Sequence, residues 1–332
     1  MTVTARLATA DDRNEILALV REMIPGVDAA ARWDWMYARN PAGHALTWLA
    51  IAADGAVAGC TSLFPWRLWL DGVPVLAALG GDGYVRPAYR RRGLGGLLHE
   101  ASRAAMPAHG LACMYGAPGE LNLTPLKHGG SRELGHVARW ARPLRGSALK
   151  LPGALDGVVA AALRPRFVAR LEPVVPLDDR VDAVWSTARQ GLRLACVRDA
   201  TFYTWRFLAT PARCQDAFVI LDGGTPIAVC ALESSTDGRI VRIVDLVAVP
   251  GAWHRALRAI ARHAADTTTA STLELKLMAL DGRSRGLWRA GFTERQHKPF
   301  LCMIPSGGDR RFLDPDRWFY TGADADVDTT NG

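Results

Sequence analysis

Lysine is nearly missing from this chain, basic though it is. Its 332 residues carry 40 Lys plus Arg against 33 Asp plus Glu, a net charge of +7, yet lysine stands only at 127, 150, 276 and 298. The arginines are scattered except at Arg90-Arg91-Arg92, and with the alanine excess they read as compositional bias. A nucleic-acid footprint is clustered, so nucleic acid is not expected as a partner. Paired cysteines are also lacking. The six, at 60, 113, 196, 214, 230 and 302, sit singly, mostly in apolar runs such as Val229-Cys230-Ala231. With no Cys-x-x-Cys pair or Cys/His cluster, no metal is expected and the thiols read as core packing. No run approaches about 18 apolar residues, and Met1 to Glu15 holds an acidic Asp11-Asp12 pair but no apolar h-region. Neither a membrane span nor a signal peptide is expected, which points to the cytoplasm. What is present is 49% hydrophobic and 22% charged, the balance of a soluble globular chain long enough for two domains.

One stretch is built for an anion. Arg90-Arg91-Arg92-Gly93-Leu94-Gly95-Gly96 follows a strand-like run ending Tyr84-Val85-Arg86-Pro87 and opens an apolar helix through Leu97, Leu98 and Ala105. The unpaired N–H groups at a helix N-terminus carry partial positive charge and attract phosphate oxygens. Glycine lets the backbone approach the anion, and arginine adds charge-assisted hydrogen bonds. A dinucleotide loop fits less well. Its glycines follow the strand directly, with an acid about 20 residues on; here a proline and three arginines intervene, and position 113 is a cysteine.

The chain also repeats itself. Trp35-Met36-Tyr37-Ala38-Arg39-Asn40-Pro41-Ala42 matches Trp205-Arg206-Phe207-Leu208-Ala209-Thr210-Pro211-Ala212 at an offset of 170, which continues to Cys60 and Cys230. Asp82 to Pro87 then matches Asp245 to Pro250 at an offset of 163. An ordered series of this length indicates two domains of one fold. In the first copy, a strand over 3–7 leads to a capping box at Thr9 to Asp12 and a helix through Met23. Strands follow near 46–53, 56–69 and 73–86, the last two joined at Asp71-Gly72, then a helix near 94–107, a strand at 111–116, a short helix and a strand pair near 134–145. This order fits an open mixed α/β sheet.

The spacing Arg90-x-x-Gly93-x-Gly95 after Val85-x-Pro87 resembles the acetyl-CoA-binding motif of the GNAT acyltransferase superfamily. The resemblance implies two tandem GNAT-like domains, each a mixed, mostly antiparallel sheet flanked by helices. The expected boundaries are 1–148 for the CoA-binding domain, 149–176 for a linker with one helix, 177–305 for a degenerate second domain and 306–332 for a tail. In the second copy Gly251-Ala252-Trp253-His254-Arg255 replaces the glycine loop, so no CoA is expected there. The resemblance further implies that Arg90, Arg91, Arg92, Gly93, Leu94, Gly95 and Gly96 hold the CoA pyrophosphate. Tyr84 and Val85 would pair with the pantetheine arm and supply an oxyanion donor, with Asn122 a further contact.

The implied activity is N-acyl transfer, most simply acetyl transfer, from acetyl-CoA or another acyl-CoA to the amine of a small molecule such as an amino sugar, in a ternary complex. Alternatives are a non-catalytic acyl-CoA sensor and a protein or peptide lysine acetyltransferase. Asp82 is the carboxylate candidate for general base, although a reference pKa near ~3.9 makes a weak base without desolvation. Asp245 at the matching place in the degenerate copy reads it equally as a structural partner. Tyr115, at the end of the next strand, is the candidate general acid, and Glu120 a candidate contact for the amine. The tail Trp318-Phe319-Tyr320 followed by Asp324 and Asp326 reads as an aromatic anchor that places acids near a cationic substrate. A monomer or homodimer is expected.

Overall fold

The structure, a computed structural model, describes residues 3–166, 169–211, 214–279 and 282–325. Its strands are β1 (Thr4–Leu7), β2 (Leu46–Ile51), β3 (Val57–Leu70), β4 (Val73–Val85), β5 (Met114–Gly116), β6 (Arg132–Pro143), β7 (Arg170–Pro173), β8 (Leu194–Cys196), β9 (Gln215–Asp222), β10 (Thr225–Ser234), β11 (Ile240–Ala248), β12 (Thr272–Met278), β13 (Thr293–Met303) and β14 (Trp318–Thr321). The α-helices are α1 (Arg13–Met23), α2 (Ala29–Arg32), α3 (Leu94–Ala105), α4 (Glu120–His128), α5 (Asp156–Leu163), α6 (Asp179–Ala188), α7 (Ala200–Tyr203), α8 (Trp253–Thr267) and α9 (Gly282–Leu287).

Two compact units share the chain. Among the described residues, the first takes 3–68, 74–136 and 298–315; the second takes 69–73, 137–297 and 316–325. In the first, strands lie in the order β1, β2, β3, β4, β5, followed by the C-terminal half of β13. β1, β2 and β3 run antiparallel in turn, β4 and β5 are parallel, and β13 closes antiparallel on β5. Helix α3 makes the crossover between the parallel strands and buries Leu94, Leu98 and Ser102 at four-residue spacing. Leu94 and Leu98 pack with Ala78, Met106, Met114 and Met303. Each buried leucine is worth about 1.5–3 kcal/mol. The expected capping box is present: Thr9 and Asp12 bond reciprocally ahead of α1.

The second unit repeats the plan. Its order is β6, β12, β11, β10, β9, β7, with β11 and β12 parallel and the rest antiparallel. The matched Trp35 and Trp205 segments both fold as a short aspartate-capped helix running into a wide π-type turn, Trp33–Ala38 after α2 and Thr204–Leu208 after α7. The internal repeat in the sequence is therefore a repeat of fold.

The linear boundaries differ from these units. The strand pair expected near 134–145 is one strand, β6, and its residues 138–143 pair with β12 of the second unit. The place beside β5 is taken by residues 301–303 of β13. Each sheet is thus completed by a strand from the other half of the sequence, a connection that local periodicity cannot show. The expected linker 149–176 holds α5 as anticipated, but also β7, which pairs with β9 as β1 pairs with β2. The tail divides, with 306–315 in the first unit and 316–325 in the second.

Candidate active site

The site begins with a fork in the first sheet. β4 and β5 pair only at Ala78 with Met114 and Leu79 with Tyr115. Beyond this vertex the strands part, and β4 continues through Gly80-Gly81-Asp82-Gly83-Tyr84-Val85. Ala78 directs its N–H to Cys113 on the β5 side, whereas Arg86 directs its N–H to Ala58 on the β3 side. Eight residues of regular alternation would keep both on one side. The inversion falls at Asp82, whose φ of 46° puts a non-glycine residue in the left-handed region. By alternation, the main chain of Gly83 and Val85 then faces the fork.

A buried cluster holds this bulge. Asp82 is 5% exposed. It accepts from Arg32 Nε at 3.1 Å and Nη2 at 2.7 Å, and from the Tyr37 hydroxyl at 2.5 Å. Burial, then the Asp82 charge, pushes the Tyr37 hydroxyl well above its ordinary pKa. The same two causes push the Cys60 thiol up to about 12. Asp82 is therefore a clamp on strand geometry, not a general base: its oxygens are occupied by a guanidinium and a phenol, away from water. Sequence order does not reveal Arg32 and Tyr37 as partners of Asp82, because they lie 50 and 45 residues from it.

The loop that follows is shaped for an anion. Arg91 and Gly93 have φ of 62° and 79°, and Gly93 caps α3 without any side-chain bond. The N–H groups of Leu94, Gly95 and Gly96 open the helix and have no partner within it. A Cβ added at Gly93 or Gly96 would meet nothing within 4 Å, so the approach is open. Successive N–H groups around a left-handed residue make a concave anion nest. Arg90 turns back: its Nε donates to the Val85 carbonyl at 2.9 Å and its guanidinium lies 5.7 Å from the Tyr84 ring. Arg92 lies over Tyr89 at 5.8 Å. Arg90 thus ties the loop to Val85 at the end of β4; the expected main-chain role of Tyr84 is not met, because its carbonyl lies against Gly59 of β3, away from the fork.

Tyr115 occupies the vertex itself, paired with Leu79 on one side and Cys302 on the other. It is 2% exposed, with its ring 6.3 Å from Phe300. Asn122 and Glu120 are exposed on the first turn of α4, whose Pro125 lies against Gly95.

In the second unit the equivalent fork is filled. β11 parts from β12 after Ile243 pairs with Leu275, and β14 enters to pair with Leu277 and Met278. Gly322 lies so close to β11 that a Cβ would stand 3.0 Å from the Val244 carbonyl. Trp253, at the start of α8, packs at 6.2 Å on Phe319. Asp245 accepts from Arg198, Tyr203 and Thr321, and Arg198 also donates to Asp324 at 2.7 Å. The aromatic anchor of the tail docks as expected. Asp324 does not face a substrate, because it is 2% exposed and held inside this cluster, where burial raises its pKa. Asp326 lies outside the described residues.

Residues 14–122 match the sequence model of the Acetyltransferase (GNAT) family. A GCN5-related N-acetyltransferase from Anabaena variabilis aligns in structure with a TM-score of 0.68 and 16% identity, over 91% of this chain and 73% of that one. A probable N-acyltransferase from Enterococcus faecalis aligns with a TM-score of 0.68 and 12% identity, over 92% and 73%. Saccharomyces cerevisiae N-myristoyltransferase, with bound myristoyl-CoA, aligns with a TM-score of 0.59 and 12% identity, over 91% and 83%. At such identities the likeness is one of fold. No curated protein matches in sequence.

Proposed function

We propose that this chain, whose residues 14–122 match the Acetyltransferase (GNAT) family, N-acylates the amine of a small molecule, with acetyl-CoA as the simplest donor. The observation that carries this reading is the open, uncapped N-terminus of α3 beside a forked sheet. Those residues fit the donor: the amides of 93–96 with Arg91 and Arg92 suit its diphosphate, and the main chain of Gly83 and Val85 suits its amide-bearing arm. When bound, the donor supplies a thioester carbonyl for attack by a neutral amine.

The remaining work falls to groups of this chain. Arg90 holds the end of β4 through Val85, and the Arg32–Asp82–Tyr37 clamp fixes the bulge ahead of it. Fixing the reactants in this way supplies much of the rate. An N–H on the forked stretch of β4 stabilises the developing oxyanion. In this reading Tyr115 at the vertex gives its proton to the departing thiolate, Asn122 contacts the donor, and solvent reaching the fork takes the proton of the amine. Trp33, half-buried, stacks on Tyr37 at 4.8 Å and has the Arg13 guanidinium 5.8 Å from its ring centre, so it braces the clamp.

Isothermal titration with acetyl-CoA, followed by thiol release against amino sugars, polyamines and amino acids, tests the proposal. Micromolar binding is expected. Gly96→Glu, which adds a carboxylate in open space, is expected to weaken it at least about 30-fold, roughly 2 kcal/mol. Absence of binding below millimolar, or indifference to Gly96→Glu, would overturn the reading. Binding without turnover of any amine would make the chain a sensor, and turnover of peptides alone a lysine acetyltransferase.

A further inference from the structure

The first unit contains a cavity of about 410 Å³ that the acyltransferase reading does not use. Arg103, Arg132 and Arg310 line it, together with Ser306, Gly307 and Gly308, and no acidic residue does. Among the described residues none of these three guanidiniums has an ion-pair partner. Some arginines elsewhere in the unit have carboxylate partners, as Arg6 with Asp12, Arg32 with Asp82 and Arg86 with Glu22; what sets this group apart is that three guanidiniums line one cavity with no carboxylate among them. The Nε of Arg103 is also buried without a hydrogen-bond acceptor. A buried donor left unsatisfied destabilises the fold, and more so when it is charged. Three like charges around one small space repel in addition. An anion inside relieves both penalties.

The cavity stands apart from the 90–96 loop. Arg103 lies nine residues along α3 from Leu94, about 13 Å at ~1.5 Å per residue. β13 runs antiparallel to β5, with Met303 opposite Met114 and Leu301 opposite Gly116. Ile304, which lines the cavity, therefore follows the end of β13 that lies away from the fork. One helix thus presents an anion cradle at its first turn and a cationic cavity beside its last.

We propose that this cavity binds a phosphate monoester of a small metabolite, at a site separate from acyl transfer. A monoester carries about −1.5 to −2 charges at pH 7 and three acceptor oxygens, which suits three convergent guanidiniums better than a single carboxylate does. The Ser306 hydroxyl adds a neutral donor, and the volume leaves space for an organic group beyond the phosphate.

The test uses glucose 6-phosphate as probe, titrated calorimetrically into the full chain saturated with coenzyme A. Coenzyme A fills the 90–96 loop if that reading holds, and Gly96→Glu removes the loop in a parallel arm. Submillimolar binding is expected in both arms. It is expected to weaken at least 30-fold in Arg132→Gln/Arg310→Gln, whose two side chains are exposed enough to leave the fold intact, as a thermal melt checks. Glucose itself is expected not to bind. Binding only in the tens of millimolar, equal binding by the double variant, or loss of binding when coenzyme A is present or Gly96 is replaced would overturn the proposal. The last two outcomes place the probe on the loop, and so separate this inference from the acyltransferase reading.

Discussion

A carboxylate that receives two guanidinium bonds and a phenol bond out of reach of water holds structure rather than protons. Removing one partner of such a pair strands the other charge and costs about 3–5 kcal/mol. Arg32→Leu is therefore expected to lower the unfolding free energy by about that amount, read by urea denaturation. Asp82→Asn is expected to lose stability while the surviving activity keeps its pH profile. A lost acidic limb with stability unchanged would return Asp82 to the role of base. Tyr115→Phe is expected to lower kcat about 10²- to 10⁴-fold with little change in KM. Normal turnover by a folded Tyr115→Phe would remove it from the reaction. His99 adds a pH effect. Its Nδ1 is buried without a partner among the described residues, and burial lowers its pKa below 6.5. Below pH 6.5 the unfolded chain takes up a proton that the folded one resists, so stability falls as pH drops. The stability slope from about pH 6.5 to 5 should be shallower in His99→Leu, the rest coming from groups such as His263, which burial also lowers.

At the scale of elements, local signals in the sequence were good guides. The Thr9 box, the Asp71-Gly72 hairpin, the strand into Pro87 and the glycines opening α3 each act within a few residues, so their chemistry is visible in order. The Asp82 clamp was not, because it depends on a left-handed residue and on two partners an entire hairpin away. Nor was the fate of the tail. The apolar residues Trp318 to Tyr320 announce docking but not where. They enter the second fork and close it. Gly322→Val is expected to force the tail off β11, because its Cβ meets the Val244 carbonyl at 3.0 Å. Faster amide exchange in β12 and β14, with β4 and β5 unchanged, would show it. Unchanged exchange in β14 would mean that the tail is held elsewhere.

For the whole molecule, duplication and divergence are both visible in the backbone. Both copies bulge the strand at the aspartate, β4 at Asp82 and β11 next to Asp245. Only the first keeps a non-glycine residue at positive φ there, beside an open helix N-terminus. Strain of this kind persists at functional sites and costs about 1–3 kcal/mol, so the copy whose fork is filled has no use for it. The division of residues between units predicts how the chain can be cut. A fragment of residues 1–148 lacks 298–315 and leaves the far edge of β5 without a strand. It is expected to aggregate or to melt without cooperativity. A cooperative melt of that fragment would show that β13 is dispensable.

The same exchange sets a timetable for synthesis. Residues 137–297, about 160 of them, must leave the ribosome before the segment that borders β5 exists. At about 5–20 residues per second the nascent first half waits roughly 8–30 s with a strand edge bare. A chaperone that shields such edges would meet this protein as a half-finished sheet, and translational pausing after residue 136 would prolong the encounter.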